Sequence, residues 1–174
     1  MTFLLRQIFS FLKLLNSDTG TNQIAAGVAC GFILGMTPTF SLQTVLVILV
    51  MFFFRIQIGA ATLSAFFFKF IAYLFDPLFD VIGQKVLENS ALKETYTALY
   101  NMPIVPFTRF NNSIVMGSGV VAIIAFPLIF ILAKILVTKY RVTIVARFKA
   151  SKVWMAFKAT TIYQWYAKYE QLFG

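Results

Sequence analysis

Four apolar stretches, at about 22 to 37, 41 to 54, 58 to 75 and 114 to 138, constrain this chain more than any other feature. At ~1.5 Å rise per residue the first three run to only about 21 to 27 Å as helices, and only the last exceeds ~30 Å of hydrocarbon. Composition says what such stretches are for. The 174 residues are 60% hydrophobic and 12% charged, whereas a water-soluble domain is roughly 45 to 50% apolar and about 25% charged. With a mean hydropathy of +0.83, too little polar surface remains to cover a water-facing globule. The expectation is an all-α integral membrane protein forming one membrane domain. It would consist of a short helical hairpin, either re-entrant or fully spanning, two further membrane helices and an interfacial amphipathic helix at each end.

The net charge of +9 would suit nucleic acid if it lay on a polar fold, but here the cations flank apolar segments. Eight of the fifteen Lys and Arg lie between Lys134 and Lys168, and the only acid after Glu94 is Glu170. By the positive-inside rule this marks residues 139 to 174 as a cytoplasmic tail. Its Trp154, Phe157, Tyr163, Trp165, Tyr166 and Tyr169 among lysines suit an anionic leaflet. Residues 1 to 16 carry Arg6, Ser10 and Lys13 on one helical face and apolar side chains elsewhere, the pattern of a helix lying in the membrane plane. Charge then threads the chain from a cytoplasmic N-terminus up to Pro38, down to Arg55 and up to Asp76. Residues 84 to 113 follow outside, and 114 to 138 return to a cytoplasmic C-terminus. The expected location is a bacterial inner membrane, crossed several times.

Several chemistries are excluded by what the sequence lacks. There is no histidine, and Cys30 is the only cysteine, so neither His/Cys metal sites nor Ser-His and Cys-His nucleophile pairs can be assembled. No enzyme activity, cofactor or metal is expected.

The first two apolar stretches are joined by Thr37-Pro38-Thr39-Phe40-Ser41, in which Pro38 stops one helix and Ser41 can cap the next. Before the turn, Gly27, Gly31 and Gly35 fall on one helix face, where they allow a second backbone to come close. Ala60, Ala61, Ser64 and Ala65 form another small-residue face. The run from Gly31 to Thr44 resembles the bacterial family known as domain of unknown function 2062, whose pattern is Gly-x-x-x-Gly-x-x-Pro-x-x-x-x-Gln-Thr. Gly31, Gly35, Pro38, Gln43 and Thr44 match it, and Arg55 follows where that family often has an Arg. Where the family carries an Asn-Pro pair this chain has Lys69-Phe70, and Asp76-Pro77 and Gly83 fall near later Pro and Gly positions. The resemblance covers about residues 10 to 90 and implies a small bacterial membrane protein with no established activity. It makes 22 to 83 the family-like core.

Charged and polar groups at hydrocarbon depth are costly enough to suggest function. Ser41, Gln43 and Thr44, at a helix start, and the cations Arg55 and Lys69 form a candidate contact for an anion or lipid headgroup. Two functions compete. The first is a non-catalytic partner or scaffold of an envelope complex, docking through its small-residue faces and the 84 to 113 segment. The alternative is binding or translocation of an anionic lipid or polyprenyl-phosphate carrier. Expected partners are membrane lipids, a larger envelope protein or further copies of the chain, and nucleic acid is not among them.

Overall fold

The computed structural model describes residues 19 to 145. The expected interfacial helix over 1 to 16, and the tail from 146 onward, lie outside the described residues. The chain divides into two compact units, 1 to 137 and 138 to 174. The described part of the second consists of the end of a long helix and a π-helical turn, Tyr140–Val145.

Among the described residues there are helices and turns and no strand. Helix α1, Thr21–Met36, ends where Thr37 turns extended ahead of Pro38, because proline's ring disfavours helical backbone in the residue before it. Helix α2, Leu42–Phe53, starts at Ser41, whose Oγ accepts the Thr44 amide. It closes at Arg55, which holds the left-handed φ of 51°. Helix α3, Ile58–Leu87, starts with Gln57 Oε1 accepting the Gly59 amide at 2.9 Å. Pro103 and Pro106 fall after a short helix α4, Lys93–Tyr100, and the second of them sits in a single 3-10 turn, Val105–Thr108. Helix α5, Ser113–Lys139, begins under Asn112, whose Oδ1 accepts the Val115 amide at 3.1 Å.

The sequence boundary at 75 is corrected here. Helix α3 carries on through Pro77 for another ten residues. Proline withdraws the amide that would have bonded the Tyr73 carbonyl, at a cost of about 3 kcal/mol in an isolated helix. The packing beyond it offsets that loss. Phe79 is 1% exposed, Gly83 lies against α5, and Asp80 accepts from Ser113 Oγ and from Gln84 Nε2.

Helices α1 and α3 run parallel at van der Waals contact. A Cβ placed on Gly27 would sit 2.6 Å from Gln57 O, one on Gly31 2.4 Å from Ala61 O, and one on Gly35 2.8 Å from Ala65 O. As the number rises on one helix it rises on the other, so α2 must run back beside them. Phe32 on α1 and Phe68 on α3 add an edge-on ring contact at 5.0 Å. Helix α5 returns antiparallel to α3, through an equally close crossing. A Cβ on Gly83 would strike Ser113 O, and one on Gly117 would strike Phe79 O, each at 1.8 Å. The core between the helices holds Cys30, Phe32, Ile33, Met36, Val47, Met51, Phe79 and Ala122.

Helices α3 and α5 are long and apolar enough to cross a membrane, by length and composition. Only 22% of the most apolar part of the first and 17% of that of the second is buried within the protein. The core helix of a soluble protein would be mostly covered. Instead Leu74, Ile124, Leu128 and Leu136, with Val45, Leu49 and Phe53 of α2, face outward.

Candidate functional site

The tip of the α1–α2 hairpin is a polar knot inside an apolar bundle. Thr37 is fully buried, and its Oγ1 and its amide both donate to Ile33 O, at 2.8 and 3.0 Å. Ser41 Oγ lies 3.1 Å from Thr44 Oγ1, which donates in turn to Pro38 O at 3.2 Å. Ser41 and Thr44 therefore spend their hydroxyls on each other and on the turn, leaving little to offer a ligand.

Two longer side chains tie this tip to the long helices. From α3, Lys69 Nζ donates to Thr37 O at 3.1 Å, placing a cation on a carbonyl at the C-terminal end of α1, where the helix dipole favours it. From α2, Gln43 Nε2 donates to Val115 O in the first turn of α5 at 3.2 Å. That reach depends on Gly119, since a Cβ there would stand 2.3 Å from Gln43 Nε2. Gln43 Oε1 is buried without a hydrogen-bond partner.

Beside the tip lies a cavity of about 270 Å³, lined on the polar side by Lys69, Tyr73, Asp76, Arg109 and Asn112. Met36, Pro38, Ala72, Ile114 and Val115 complete its wall. Lys69 and Asp76 are seven residues apart on α3, two turns, so both project to one face. Arg109 comes from the last turn before α5 and holds a left-handed φ of 57°. Its position is set by the Asn112 amide donating to Arg109 O at 3.0 Å. Among the described residues neither the Asp76 carboxylate nor the Arg109 guanidinium has a hydrogen-bond or ion-pair partner, and Lys69 meets no carboxylate.

The sequence candidates are thus divided. Ser41, Thr44 and Pro38 meet at the tip, Lys69 joins them through Thr37, and Gln43 turns to α5. Arg55 stands at the opposite end of α2, on a separate open cleft of about 430 Å³ with Thr19, Gln23 and Gln57. Gly27, Gly31 and Gly35 of α1 pack against α3, and of the three only Gly35 comes up against a residue of the tip cavity, its Cβ position being 3.2 Å from the Lys69 amide. Sequence reasoning missed Arg109, Asn112 and Tyr73. Asn112 had a legible signal, as an Asn just ahead of an apolar run. Arg109 had none, because only the fold brings it to Lys69.

Comparison with known proteins bears out the family resemblance. The family described as "Uncharacterized protein conserved in bacteria (DUF2062)" matches residues 6 to 144, well beyond the 10 to 90 expected from the hairpin motif. The chain is similar to an "Uncharacterized protein" of Treponema pallidum (strain Nichols), at 32% identity over 138 residues, which cover 79% of this chain and 85% of that one. No solved structure matches. The family model and the relative agree, and the chain belongs to the DUF2062 family of bacterial proteins.

Proposed function

We propose that this protein is a non-catalytic membrane protein that binds the phosphate of a lipid headgroup in the cavity at the tip of a re-entrant hairpin. One observation carries the reading. Among the described residues Lys69 reaches a carbonyl but no carboxylate, and it shares its cavity with a second cation that they leave unpaired, Arg109.

Depth makes that observation significant. The 30 residues of α3 measure about 45 Å, the thickness of a bilayer with its headgroup regions. Lys69 is eleven residues beyond Ile58, about 17 Å along the axis, and so within the hydrocarbon. There a lysine costs about 2.5 to 3.5 kcal/mol even on the milder scales. A carbonyl dipole offsets only part of that, and a phosphate in the cavity would supply the rest with charge-assisted hydrogen bonds. The outward apolar faces of α2, α3 and α5 suit lipid contact, since soluble proteins rarely leave such faces open. The hairpin helices, about 24 and 18 Å long, are too short to span, and the turn between them lies at the level of Lys69. Binding at the tip takes precedence over the scaffold expectation, because a docking partner has no use for a lysine held at that depth.

The test is lipid mass spectrometry on the protein purified in detergent, comparing wild type with Lys69→Met and Arg109→Asn. Asparagine tolerates the left-handed backbone at 109. Each variant should retain the wild-type elution profile and lose most of the copurified phospholipid. Unchanged phospholipid in folded Arg109→Asn and Lys69→Met would refute the reading.

A further inference from the structure

Resting on that reading, we infer that the headgroup recognised at the hairpin tip is zwitterionic, carrying a primary ammonium beside its phosphate, as phosphatidylethanolamine does. The observation is Asp76. It lines the same cavity as Lys69 and Arg109, yet among the described residues its carboxylate bonds to nothing. The neighbouring acid one turn on behaves differently, since Asp80 is held by Ser113 Oγ and Gln84 Nε2. Asp80 is tied into the packing of α3 on α5, and Asp76 is left facing the cavity.

A cavity built only for a phosphate gains nothing from a carboxylate. Asp76 would repel the ligand and weaken the field of Lys69 and Arg109. It becomes useful when the ligand brings a positive charge of its own. Lys69 then takes the phosphate oxygens, Asp76 takes the ammonium, and exposed Arg109 completes the phosphate contact while water screens its remaining charge. The two pairs need separate loci, and residues 69 and 76 supply them, on one face about 10 Å apart along the axis. The side-chain NH2 of Asn112 offers a neutral donor on the same wall, its Oδ1 being taken by the Val115 amide. A head such as phosphatidylglycerol satisfies the lysine and leaves Asp76 desolvated beside a second anion, which is unfavourable. The discrimination thus comes from penalising the wrong head as well as holding the right one.

Native mass spectrometry tests this on the delipidated full-length protein in detergent, with phosphatidylethanolamine and phosphatidylglycerol of equal chain length offered together. The wild type should carry phosphatidylethanolamine in roughly tenfold preference, the size of one charge-assisted hydrogen bond. Asp76→Asn should erase the preference by lowering the first lipid and raising the second. N-acetylated phosphatidylethanolamine removes the ammonium without touching the fold, and it should bind the wild type no better than phosphatidylglycerol. Preference for phosphatidylglycerol in the wild type, or equal binding of the acetylated lipid, overturns the inference while leaving phosphate binding intact. Displacement by equimolar soluble phosphoethanolamine would also overturn it, as a site for a water-borne ligand. Absence of both lipids from the wild type overturns this inference together with the reading beneath it.

Discussion

At the scale of single residues, the hairpin tip is held by side chains that each perform one geometric task. Gln43 is the clearest case. Its amide reaches Val115 O only because Gly119 offers no Cβ, so the two positions form one unit and their effects should not add. Gly119→Ala should lower the melting temperature of the detergent-solubilised protein, by forcing Gln43 out of its place. In a Gln43→Ala background the same change should cost far less, with a coupling of about 1 to 3 kcal/mol. Additive losses would show that Gln43 and Gly119 act separately. The sequence made Gln43 and Lys69 legible, since each is a polar residue within an apolar stretch. It could not make Arg109 or the role of Asp76 legible. Forty residues separate Lys69 from Arg109, and no helical period links them. Arg55 shows the converse limit, for a twelve-residue helix lies between it and the tip.

Between elements, close backbone approach does the work that apolar burial does in water. The Gly27, Gly31, Gly35 spacing already marks one helix face, but the partner face could be confirmed only by atoms, with Ala61 O and Ala65 O where the Cβ atoms would go. The second crossing was not legible. Gly83 and Gly117 lie 34 positions apart, one of them beyond a proline at which the sequence reading ended its helix. Gly117→Ala should destabilise by about 1 to 3 kcal/mol, because Phe79 O is main chain and cannot swing aside. Gly31→Leu should do at least as much. Gly20→Ala, whose nearest neighbour would be Gln23 Oε1 at 3.8 Å, meets no clash and should cost only the small loss of a glycine N-cap, under about 1 kcal/mol. Thermal melts of the three variants check the series, and a stable Gly117→Ala protein would mean that the α3–α5 crossing is looser than described.

For the whole molecule, composition and hydropathy made the helical class and the short-helix hairpin readable, and the family match extends the resemblance through α5. The end of α3 was misread because a proline rule local to residue 77 competes with packing that is not local. A sidedness prediction follows from α1 and α3 running parallel with different lengths. In a Cys30→Ala background, cysteines at Gly20 and Ser90 should label from opposite faces of sealed vesicles, and labelling from one face would break this arrangement. The tip's depth decides more, since a lysine at the membrane surface would need no buried phosphate. Phe40, 79% exposed, can carry a spin label there without disturbing the core. In nanodiscs, that label should be more accessible to oxygen than to a water-soluble nickel chelate, and should lie deeper than labels at Gly20 or Ser90. A Phe40 label as accessible to the chelate as the one at Ser90 would put the hairpin tip at the surface and contradict a headgroup site within the bilayer.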